Sequence, residues 1–218
     1  MHGFTEEFAR HVGTALARQL ALADHLGERN WAVDITAGTA SFGDDLTYRI
    51  QLLGTESHDD GTWLWAWANS ESGLPDTVLR AAGWLRERGR ATGPAELAEP
   101  GFPLDRADGH RLALLASGLT GNCYYRGPYP GGALFFQLEG VPAAVLSPIS
   151  PERATTVLTQ AIQAYALDHR TLVESFFAQQ GWRVDVTSAA VTGHHPGGTA
   201  LRVTFDDLGR IGEISAAA

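Results

Sequence analysis

From residue 4 onward, apolar side chains return every three or four positions. Phe4, Phe8, Val12, Ala15, Leu22 and Leu26 form one stripe, which predicts a helix stopping at Gly27. Thr5 is placed to cap it, Glu6 and Glu7 suit the positive end of its dipole, and His11 and Gln19 fall inside the stripe. The period then drops to two. Trp31 to Thr36 and Leu46 to Leu53 read as strands, the second with Tyr48, Ile50 and Leu52 on one face and Thr47, Arg49 and Gln51 on the other. After a loop over 54–61, the run Thr62-Trp63-Leu64-Trp65-Ala66-Trp67-Ala68-Asn69 predicts a third strand. Its alternation sends Trp63, Trp65 and Trp67 to one side and Leu64, Ala66 and Ala68 to the other.

Pro75 opens a helix that ends near Gly89, and residues 91–109 form a long aperiodic connector. A short helix over 111–119 leads into a hairpin, 122–126 with 133–138, turning at 127–132. Ser150 as cap and Pro151 as first helical residue announce the longest helix, reaching Gln180. Its stripe holds Leu158, Ile162, Tyr165, Ala166, His169, Val173, Phe176 and Phe177, with a histidine at the centre. Further strands follow over 182–192, 199–205 and 209–214. Trp31 to Thr36 and Trp182 to Thr187 share Trp, Val, Asp and Thr in register. Duplication and convergent strand chemistry explain that match equally well. The expected fold class is α+β: antiparallel sheets of seven or eight strands packed against two long helices. The expected organisation is a single domain over 1–218, in which the match allows two related helix-plus-meander halves, 1–90 and 150–218, joined by 91–149.

With 218 residues and 44% apolar content, the chain can bury one sizeable core. Its formal net charge of -9 and the lack of a long basic face argue against nucleic-acid binding. All sixteen basic side chains are arginine. Schiff-base chemistry and pyridoxal phosphate anchoring, which need a lysine amine, are therefore excluded. A lone cysteine, Cys123, makes no internal disulfide and suits a reducing compartment. The N-terminus has no signal-peptide pattern, and no apolar run reaches membrane-spanning length, so the expectation is a cytoplasmic protein without a membrane partner. Phosphate-loop, dinucleotide-fold, zinc-helix and serine-elbow motifs are all missing, and no cofactor is expected.

The tryptophan row is the strongest positive signal, and it has two readings. The rings either pack under a helix or line a pocket where indoles stack on a planar guest. On the second reading Trp63, Trp65 and Trp67 form the wall, Asn69 and Gln51 supply polar selectivity, and Tyr125 of the hairpin extends the lining. His169 on the apolar stripe, with Tyr165 one turn before it, is the candidate acid-base pair. His58, Asp59 and Asp60 with His194 and His195 make an unconvincing metal set, because adjacent histidines in a Pro-Gly turn are usually solvated; no metal site is expected. Cys123 reads as a small buried side chain rather than a nucleophile.

The segments Gln51-Leu52-Leu53-Gly54-Thr55, Trp63 to Asn69 and Tyr124-Tyr125-Arg126-Gly127-Pro128 resemble an uncharacterised bacterial family, a domain of unknown function with a WLWAWAN-like strand. The resemblance covers residues 31 to 140 and brings no reaction with it. It implies that the tryptophan row belongs to a recurring scaffold, which favours packing. The leading functional expectation is a cofactor-independent protein with an aromatic small-molecule pocket, of cyclase or isomerase type, moving a proton through His169 and Tyr165. The alternative is a non-catalytic interaction or immunity-type protein that binds a partner through its acidic loops; a protein partner and a homodimer are the assemblies left open.

Overall fold

The structure is a computed structural model and describes residues 3–217. Helix α1, Phe4–Leu26, buries the predicted stripe in full. Its cap is Gly3 rather than Thr5, because the backbone is already helical at Phe4. Glu7 in the first turn is buried, and it pairs at 2.8 Å with Arg88 of α2, Arg80–Ala91. Close approach on two sides needs glycine. A Cβ on Gly118 of α3, Gly109–Thr120, would fall 2.5 Å from the Cβ of His11. One on Gly13 would fall 2.9 Å from the Phe176 ring of α6, His169–Gln179. α1 is thus gripped between α3 and α6.

Seven antiparallel strands make the first sheet: β1 (Trp31–Asp34), β2 (Thr39–Phe42), β3 (Leu46–Ser57), β4 (Thr62–Trp65), β5 (Gly101–Pro103), β6 (Cys123–Tyr129) and β7 (Gly132–Glu139). β3 is its axis. β7 follows one edge of β3 with β6 beyond it, while the other edge is shared by β2 on its first half and β4 on its second. Leu52 faces Phe136 across the ladder and Gly54 faces Phe135, so Leu53 is an extra, unpaired residue. The loop expected over 54–61 shrinks to a turn: β3 continues to Ser57, and Gly61 takes the left-handed conformation that closes the hairpin. β2 and β5 are short strands that the sequence pattern did not announce, β2 because only Phe42 of its two inward residues, Ala40 and Phe42, is large.

The second sheet is a four-strand antiparallel meander: β8 (Arg183–Val186), β9 (Ala190–His194), β10 (Ala200–Phe205) and β11 (Ile211–Ala217). The single strand expected over 182–192 is a hairpin, closed where Thr187 donates to the Ala190 carbonyl. Trp31 opens β1 and Trp182 directly precedes β8; each hairpin follows a helix, α1 and α6 respectively. The expected long helix is also two elements, α5 (Pro151–Ala164) and α6, so only α1 matches the long-helix expectation. Tyr165 is extended at the break, and the Asp168 carboxylate caps α6 by accepting from the Thr171 amide at 2.6 Å. A short α4, Ala143–Leu146, lies between β7 and α5. The apolar core is continuous from Phe8 through Trp63 and Phe135 to Phe177 and Val203. The fold is α+β with antiparallel sheets. Among the described residues, no helix is long and apolar enough to cross a membrane.

Candidate functional site

Trp63 and Trp65 do share a face, and that face is core. They are 1% and 0% exposed, meet edge-on at 5.3 Å, and Trp63 meets Phe135 at 5.5 Å. The Trp65 indole N–H donates to the Glu96 carbonyl at 2.8 Å. β4 ends at Trp65, and the chain tightens into a 3-10 turn over Ala66–Ala68. That turn removes Trp67 from the row; its half-buried ring lies 5.1 Å beneath the Arg86 guanidinium. The three-indole pocket wall is thus corrected to a two-indole core plus a surface stack.

The opening is on the other side of the same strand. Thr55 pairs with both Leu64 and Leu134, while Glu56 in the next row pairs with Trp63 and Ala133. Thr55, Leu64 and Leu134 therefore stand together on the face away from the indoles. Leu52 joins them although it is three residues from Thr55, because Leu53 resets the alternation. These four side chains floor a cavity of about 620 Å³. Ile35, Thr36, the 66–75 segment and Tyr129 also line it. Among the described residues, no charged side chain lines the cavity. Asn69 lines it with its Oδ1 taken by the Ser72 hydroxyl at 2.9 Å, which leaves its N–H₂ group to hydrogen-bond a guest.

Of the residues singled out from sequence for ligand binding, Asn69 alone lines this cavity. Gln51 is 2% exposed and already engaged: its N–H₂ donates to the Thr77 carbonyl at 3.1 Å, and its oxygen accepts from the Ala81 amide at 3.2 Å. It pins the chain ahead of α2 to the sheet. Tyr125 lies tilted on Trp31 at 5.6 Å and edge-on to Phe42 at 4.9 Å, beside a separate groove along α1. His169 begins α6, and its Nδ1 accepts from the Ile211 amide at 3.0 Å. Tyr165 sits in the break between α5 and α6, edge-on to Phe8 at 5.0 Å. The helical spacing that made them a pair is gone. Cys123 is buried, and loss of solvation pushes its thiol up to about 11. Among the described residues, no group of three or more His, Cys, Asp and Glu side chains could hold a metal ion.

Leu64, Leu134 and Thr55 carry no chemistry that marks them in sequence beside three indoles. The signal was present in the alternation itself, which gave Leu64 and Ala66 a face of their own. The cavity lining spans residues 35 to 134. No curated protein and no solved structure matches the chain. A sequence model does match residues 5–141, from α1 to just past β7, a segment that holds the whole cavity and leaves out His169 and Tyr165; the chain belongs to the family of unknown function DUF6882.

Proposed function

We propose that this protein binds a small, uncharged, largely apolar molecule in the cavity between the first sheet and the 66–75 segment. The observation that carries the reading is the 620 Å³ space walled by leucines and lacking any charged group. Sites for small ligands are commonly of this size, mostly apolar, with a few polar groups that fix orientation. Asn69 offers donors to a carbonyl or ether oxygen of the guest, and the hydroxyls of Thr36 and Thr55 add a second polar point. The expected proton-transfer role is set aside in favour of binding, because among the described residues Tyr129 is the only titratable one in the lining and its hydroxyl already reaches the Glu56 carbonyl at 3.4 Å.

A neutral solvatochromic dye such as Nile red tests the reading. Saturable fluorescence enhancement is expected with the native protein. Leu64→Trp should abolish it, since Leu64 points into the cavity and is 36% exposed, so a larger ring there obstructs the guest without disturbing the core. Equal enhancement in a Leu64→Trp protein of unchanged melting temperature would remove the proposal.

A further inference from the structure

A second recess, of about 330 Å³, opens where β6 runs beside α1, bounded by Leu22 and Leu26 of α1, His110 of α3, and Tyr124, Tyr125 and Arg126 of β6. Most of its polar groups are already engaged. Gln19, which also borders it, is held by the backbone of Tyr124, donating to its carbonyl and accepting from its N–H, each at 3.0 Å. The Tyr124 hydroxyl and His110 Nδ1 meet at 3.1 Å. What remains is the Arg126 guanidinium and the second nitrogen of His110. Among the described residues no carboxylate forms an ion pair with Arg126; its Nε is buried without a hydrogen-bond partner, and the guanidinium lies 6.0 Å over the Phe135 ring. In a chain of net charge -9, a half-buried guanidinium without an anion is a desolvation cost left uncompensated.

We propose that this groove binds a small carboxylate with an apolar body, its carboxylate on Arg126 and the free nitrogen of His110, its body against Leu22, Leu26 and Tyr125. A carboxylate fits better than a phosphate. One guanidinium and one imidazole match a single negative charge, and a dianion would find no second fixed cation among apolar walls.

Binding here is tied to a proton. The His110 ring packs edge-on against Phe135 at 5.5 Å, although the residue as a whole is exposed. Loss of solvation and then the Arg126 charge hold its pKa below the ordinary 6.5, against the opposing pull of Glu56 and Asp108. A carboxylate seated between Arg126 and His110 favours the imidazolium, so binding takes up a proton and strengthens as pH falls.

Benzoate, with benzamide as its uncharged counterpart, tests the site by NMR titration of the His110 Cε1 proton. Benzoate should bind saturably and move the His110 titration to higher pH, and benzamide should not. Arg126→Gln should weaken benzoate by about tenfold to a hundredfold, the range for one charged hydrogen-bonding partner. Arg126→Lys should fall between, keeping charge without the planar fork. Benzoate leaving the His110 titration unmoved, benzamide binding as well as benzoate, or Arg126→Gln binding as tightly as the native chain would each overturn the proposal. None of these readings involves the larger cavity, whose neutral dye reports on it separately.

Discussion

Trp65 hands its indole proton to the carbonyl of Glu96, 31 residues further along and 2.8 Å away. The bond ties the end of β4 to the connector before β5, so that connector works as a cover for the core. Trp65→Phe should therefore lose a buried hydrogen bond and part of a ring together. A destabilisation of ~2–4 kcal/mol is expected from the two effects. Urea unfolding measures it. A cost well below ~1 kcal/mol would mean that the indole is less enclosed than described.

Gln51 invites a different experiment. Gln51→Leu keeps the volume but leaves the Thr77 carbonyl and the Ala81 amide without their partner. The expected cost is about 1–3 kcal/mol. The damage should be local, because the lost bonds hold the start of α2 to β3. Hydrogen exchange should quicken over 76–85 and stay unchanged in β6 and β7.

The acid limb of stability should bear the mark of His11. Burial lowers its pKa, the Arg88, Arg10 and Arg18 charges push the same way, and Glu7, 3.7 Å away, opposes them. The folded state therefore prefers the neutral ring. The stability this gives is present above the ordinary 6.5 and is lost as pH falls through the lowered value, because the unfolded chain takes up the proton first. Urea midpoints compared between about pH 7.5 and 5.0 should fall in the native chain and fall less in His11→Gln. Parallel curves would assign the acid limb to other groups.

Cys123 should resist alkylation. Its thiol is fully buried and raised from 9.0 to about 11, so little thiolate forms at neutral pH and no reagent reaches it. Iodoacetamide at pH 8 should label it only at the rate of unfolding, and urea should restore fast labelling. The raised value also makes stability fall as pH climbs from 9 towards 11, where the unfolded thiol ionises ahead of the folded one.

The α+β class and the α1 stripe were readable because each follows a single unbroken period. The break at residues 165–168 was not, because apolar positions on α5 and α6 happen to stay in phase across it. The overlooked mark was Asp168 with Thr171 three residues on, a local capping pair inside what looked like continuous helix. Trp67 misled for a related reason: alternation in sequence persisted two residues beyond the point where the backbone left the sheet. The cavity was hidden more deeply. Its floor joins Leu52 to Thr55, an odd spacing that no two-residue period predicts, and only the pairing with β7 reveals why.

Leu53 therefore acts as a parity switch. Strand chemistry repeats in twos, and a lone added residue exchanges inside for outside in all that follows on β3 and in β4 beside it. A strand running regularly through it, with no bulge, would turn both indoles outward and drive the leucines into the core, so the chamber and the hydrophobic interior both depend on setting this one residue aside.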